Sequence, residues 1–236
     1  MGYEDVANGI ASMLQLETPP VALAFVEAPP AGVRSFDDAV PSACTLWRRA
    51  ETEVFYAGAA AHLNCLVGAM VLGFELEEGQ RQELMGLVGT MCGCNYLSPD
   101  EAGRIPSVKT KKSGIVYGPL QDFPIEPDLI LMWLTPRQAM LYSEATGTST
   151  WTEALPTSAL GRPACSALPT ALEQERSTLS LGCMGMRTFT EVSGDRMLAV
   201  LPGKQARELL DRLGTAVAAN DAMQSFYLGH KAKFAG

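Results

Sequence analysis

An α/β or α+β fold in a single compact domain is predicted by three observations. Four short apolar runs are each bounded by Pro, Gly or Asp, segments with helix-start signals lie between and after them, and no stretch has the composition of a linker. The runs are VALAFV at 21–26, GIVYGPL at 114–120, DLILMWL at 128–134 and RMLAVLP at 196–202. Apolar runs of this length suit strands covered on both faces of a sheet. TPRQAMLYSEAT offers Thr135 as a helix cap and Pro136 at the first helical position, where the N–H that proline lacks would have no partner anyway. PGKQARELLDRLGTAVAAN repeats its apolar residues at helical spacing and predicts a further helix.

The chain of 236 residues is long enough to bury a substantial core and is read as one domain over 1–236. A weak internal repeat subdivides it. PSACTLWRRA followed by EVFYAGAAAHLNCLVGAM corresponds to RPACSALPTALEQE followed by STLSLGCMGMRTF. Each copy has an Ala-Cys element after a proline, a helical stretch, a short strand-like run and a second cysteine. This suggests two pseudo-symmetric half-modules, about 1–110 and 111–236, around a mixed sheet.

Composition excludes several classes of function. A net charge of −8 argues against nucleic acid as a partner, because a phosphate backbone needs a basic footprint. The basic run KTKK at 109–112 is short and reads as a solvated loop. The acidic start MGYEDVANGIASML lacks the basic region of a secretory signal, and no apolar run reaches the length of a membrane span. The expectation is a soluble cytoplasmic protein with no membrane partner. The apolar balance and the helical C-terminal segment are compatible with a homodimer.

Six cysteines, at 44, 65, 92, 94, 165 and 183, are too dilute for a disulfide scaffold. Ser42 is a candidate cap for a helix whose first turn holds Cys44. Cys165 follows Pro163 and falls in another first turn, while Asn64 is a candidate cap for a helix opening at Cys65. A helix start favours the thiolate needed for attack or ligation. Cys44, Cys65, Cys165 and Cys183, as two separated pairs, are therefore candidate ligands of one metal centre. Arg48 and Arg187 each stand four residues after a cysteine, in CTLWR and CMGMR, and are candidates to hold an anion or substrate. MCGCNY at 91–96 places Cys92 and Cys94 in an expected loop as a second soft-metal or redox pair. His62, three residues before Cys65, is a candidate ligand or acid and base, against the default that it satisfies a backbone group. No Walker loop, dinucleotide glycine motif, EF-hand loop or G-x-S-x-G elbow is present.

The stretches PPVALAF, CTLWRRA, HLNCLVGAMVLGF, IVYGPL, PDLILMWLTPRQAMLY, PACSALPTAL and SLGCMGMRTF follow one another from about residue 19 to 202. In this order they resemble the uncharacterised bacterial and archaeal family called domain of unknown function 169. The resemblance implies one compact α/β-type domain. Cys44, Cys65, Cys165 and Cys183 fall inside the matching motifs and the MCGC pair falls outside them, which favours the four as the common site.

The expected function is that of a metal-dependent redox protein, an oxidoreductase in class, that binds an iron–sulfur cluster through the paired cysteines. It would act on a small molecule or exchange electrons with a transfer partner. The alternatives are a haem- or thiolate-dependent enzyme, and a non-catalytic protein that binds zinc, copper(I) or a small molecule.

Overall fold

The computed structural model describes residues 2–148 and 159–234. Its strands are β1 (Val21–Val26), β2 (Ser35–Phe36), β3 (Phe55–Gly58), β4 (Gly114–Pro119), β5 (Leu129–Leu134), β6 (Ala159–Leu160), β7 (Thr178–Ser180) and β8 (Met197–Pro202). They form one eight-stranded sheet in the order β2-β3-β4-β1-β5-β8-β7-β6. The sheet is mixed: β2 and β3 run parallel, as do β6 and β7, and the remaining neighbours are antiparallel. The four apolar runs of the sequence are the central strands, and β4 and β5 are buried along their whole length.

Alternation of side chains divides the sheet into two faces. Leu23, Ile115, Tyr117, Leu131, Trp133 and Val200 enter one core, whereas Ala22, Val116, Ile130, Met132 and Leu201 enter the other. The second core is closed by α1 (Tyr3–Leu14), α7 (Pro136–Thr146) and α10 (Ala206–Ala232). Thr135 caps α7 as the sequence predicts: its hydroxyl accepts from the Gln138 N–H while the Gln138 side chain accepts from the Thr135 N–H. Helix α10 runs further than the predicted segment, and past Leu213 it carries no buried residue. Packed on the first face are α2 (Cys44–Arg49), α3 (Ala59–His62), α4 (Leu66–Val71), α8 (Ala167–Gln174) and α9 (Met184–Thr190). Over them lie α5 (Glu78–Gly93) and the single turn α6 (Pro99–Ala102). No helix among the described residues is long and apolar enough to cross a membrane.

Strand order and register repeat. The first four strands are arranged 2-3-4-1 and the last four 6-7-8-5, with parallel and antiparallel neighbours in the same places. Phe55 opposite Tyr117 corresponds to Thr178 opposite Val200, and Val21 opposite Pro119 to Leu129 opposite Pro202. The two units meet where Ala22 faces Ile130 on β1 and β5, with Val21–Leu131 and Leu23–Leu129 as exchanged pairs on either side. Strand order and register are thus repeated on either side of the Ala22–Ile130 pair. This arrangement groups β4 with β1, β2 and β3 in the sheet.

Candidate functional site

Each of the four cysteines sits where a helix begins. Cys44 is the first residue of α2, and Cys65 and Cys183 are the residues immediately before α4 and α9. Cys165 lies in the 3-10 turn Ala164–Ser166 that leads into α8, after a cis peptide bond between Arg162 and Pro163. All four line one cavity of about 740 Å3 above the first face of the sheet. Each half of the sheet contributes two of them, because equivalent connections around β3 and β7 return to the same face.

The capping details differ from the sequence expectation. Ser42 is one residue too early to cap α2; its carbonyl accepts from the Thr45 N–H, and its hydroxyl faces Cys65 Sγ at 3.9 Å. Cys65 itself, and not Asn64, occupies the cap position of α4. Cys183 Sγ accepts from the Met186 N–H at 3.4 Å.

Burial reverses the expected thiol acidity. The Cys44 thiol is pushed well above its ordinary range by burial, then by the nearby thiols of Cys183 and Cys65. Cys165 is raised in the same way by burial and by Cys44, Cys65 and Cys183. A charge at the start of a short helix gains less from the aligned peptide dipoles than it loses on leaving water. With no compensating cation these two thiols hold their protons. Among the described residues no group of three or more His, Cys, Asp or Glu is arranged to hold a metal ion.

The other candidates separate. Arg48 pairs with Glu51 at 2.5 Å, and the Glu51 carboxylate also accepts from the Trp133 indole, so Arg48 is tied to β5 and does not line the cavity. Arg187 donates to three backbone carbonyls, those of Leu181, Ser193 and Arg196, and so braces the turn that presents Cys183. His62 is fully buried. Its Nδ1 lies 2.8 Å from the Gly58 carbonyl and must carry the proton, which leaves Nε2 to accept from the Tyr117 hydroxyl at 2.9 Å. Both ring nitrogens are engaged, and burial pushes the pKa of His62 down to about 4. It is a core histidine, and the ligand and acid–base roles are set aside. Tyr117 was not singled out in the sequence, yet its hydroxyl is pushed up by burial and by the neighbouring Cys44 and Cys165.

MCGC is not a loop but the last turn of α5 and its cap. Residues two apart on a helix point in divergent directions. Cys92 accordingly lines the cavity, while Cys94 is exposed, with its thiol on the Met91 carbonyl. The pair does not converge on one ion. Helix α5 covers the cavity with Leu84, Leu87, Val88, Met91 and Cys92, the spacing of one helical face, yet only Leu84 is buried. A cleft of about 410 Å3 adjoins the cavity and shares Tyr96, Arg162 and Cys183 with it. Arg162 and Tyr96 carry no motif that marks them. The one sequence signal is that Arg162 immediately precedes the Pro-Ala-Cys element.

No curated protein matches the chain, and no solved structure does. The model of the DUF169 family, described as Uncharacterised ArCR, matches residues 9–212, a span that takes in all eight strands and all four converging cysteines. The chain belongs to that family.

Proposed function

We propose that Cys44, Cys65, Cys165 and Cys183 hold an iron–sulfur cluster in a redox protein that acts on, or passes electrons to, a small molecule. The observation that carries this reading is the convergence of four thiols, two from each half of the sheet, on one cavity with apolar walls. What supports the group is donor chemistry, soft and all-sulfur, and a cavity larger than a single ion would fill; among the described residues the thiols are not themselves arranged as a metal-holding group. The cluster would supply one-electron exchange. The chain's own residues position it. Arg187 fixes the turn before Cys183, Tyr117 stands close to Cys44 and Cys165 with its hydroxyl donated to His62, and α5 shields the thiols from water. Because Cys44 and Cys165 are held protonated by burial, loading the site displaces their protons.

The test is anaerobic purification, with reconstitution by iron and sulfide, followed by iron and acid-labile sulfide analysis and a visible spectrum. Matched iron and sulfide are expected, lost in Cys44→Ser and Cys165→Ser and retained in Cys94→Ser. A protein that stays colourless after reconstitution, or that keeps full iron in both of the first two variants, refutes the reading.

One observation favours a second reading, thiol chemistry without metal. Cys183 opens onto both the cavity and the adjoining cleft, whereas Cys44 and Cys165 are buried and line the cavity alone. Fast alkylation of Cys183 in metal-free protein, slowed by a bound substrate, supports it; labelling no faster than that of Cys44 removes it.

A further inference from the structure

We infer that the cavity takes an organic acid with an apolar body, its carboxylate held by Arg162 and its body lying under α5 against the thiols. The inference rests on the reading of the thiol cavity as the functional site, and it names the class of small molecule bound there. Two features of the cavity carry it.

The first is the wall. Leu66, Val67, Leu87, Val88, Ile105 and Phe189 line the space beyond the cysteines, and Leu87 and Phe189 are left 40% and 48% exposed. Apolar side chains that form a concave surface and remain wet gain by burying apolar ligand surface. The volume of about 740 Å3 lies within the range of sites for ligands of moderate size.

The second is the mouth. Arg162 lines both the cavity and the adjoining cleft, and its guanidinium lies 4.5 Å above the ring of Tyr96. Tyr96 is itself fixed, because its hydroxyl accepts from the Met184 N–H at 3.1 Å. Stacking of this kind orients the planar fork and leaves its edge for a carboxylate. Glu101 lines the same cleft; its carboxylate is held first by Ser98, whose N–H donates at 2.9 Å, and then by the charge of Arg162, so the cleft's one anion faces its two cations, Arg162 and Arg187. Arg187 adds positive potential while its donors stay on backbone carbonyls. The mouth thus selects an anion and the wall selects an apolar chain or ring.

The experiment uses decanoate as the probe and decanol as its uncharged counterpart, measured by calorimetry on the full chain. Decanoate should bind the unaltered protein, Arg162→Gln should weaken it about tenfold, and decanol should be unaffected by that change. Val88→Trp or Leu87→Trp, which fills the cavity from the α5 side, should abolish binding of both probes; circular dichroism selects the variant that keeps its helix content. Absence of decanoate binding overturns the inference, as does equal affinity in Arg162→Gln or undiminished binding in the folded filled variant. Iron and sulfide are assayed in the same samples. Arg162-dependent binding to a protein that takes up no iron refutes the cluster and leaves this inference standing; a loaded protein that ignores decanoate does the reverse.

Discussion

Gly68 tests the packing that brings the two first-half thiols together. It lies in α4, where a Cβ would fall 2.9 Å from the Ala43 Cβ and 2.9 Å from Cys65 Sγ. Cys65 can rotate away, but Ala43 precedes Cys44 and moves only if the start of α2 moves with it. Gly86 in α5 has nothing within 4 Å of the same added atom and serves as the control. Both Gly→Ala changes gain about 1 kcal/mol of helix preference. Only Gly68→Ala carries the overpacking cost of about 1–3 kcal/mol. The difference between the two variants therefore isolates the steric cost, and urea unfolding followed by circular dichroism should put Gly68→Ala about 1–3 kcal/mol below Gly86→Ala. Iron content after reconstitution should fall in Gly68→Ala and stay unchanged in Gly86→Ala. If the two variants differ by less than about 0.5 kcal/mol, the contact between α2 and α4 at the thiols is not tight and the argument fails.

Three further outcomes follow from the same structure. His62 has its pKa lowered from 6.5 to about 4, so it contributes stability above its unfolded value that is lost as pH falls towards 4. Between pH 7.5 and 4.5 the unaltered protein should lose about 2.5 kcal/mol more than His62→Gln, measured as the difference in urea unfolding free energy at each pH. Equal losses would mean that His62 titrates normally in the fold. Arg187→Lys cannot reach all three carbonyls with one ammonium and should cost about 1–3 kcal/mol, with faster alkylation of Cys183 as its turn loosens; an unchanged labelling rate would show that Arg187 does not position that thiol. In metal-free protein, maleimide should modify exposed Cys94 first and buried Cys44 and Cys165 last, read by mass spectrometry of digested samples; early modification of Cys165 would contradict its burial.

Much of the architecture was written into local sequence. Unbroken apolar runs can only be satisfied as strands covered on both faces, and so VALAFV and DLILMWL identify themselves without reference to anything distant. Thr135 and Pro136 mark the start of α7 because a cap acts within one turn of backbone. The edge strands Ser35–Phe36 and Ala159–Leu160 carry too few residues to announce a pattern and exist only because a neighbour pairs with them. Helix α5 escaped recognition because its glycines weaken the helical signal and its apolar face is matched by the cavity wall, not by its own composition.

The cysteines divide along the same line. Their spacing shows two pairs in a repeated setting, but that they share a cavity depends on how two similar units meet across β1 and β5, which is a property of the sheet. Whether a thiol at a helix start is acidic was decided by burial, since desolvation accumulates from every surrounding element while the helix start acts only locally. Arg48 and Arg187 have identical spacing from a cysteine, yet Glu51 claims one and three carbonyls claim the other. Arg162 had no spacing to recommend it and was brought to the cavity mouth by the turn before Cys165 and by Tyr96, a residue from the other half of the chain. Local sequence determined the central strands, the capped helix α7 and the cysteines as candidates; tertiary structure decided which residues meet, because meeting is set by contacts between residues far apart along the chain.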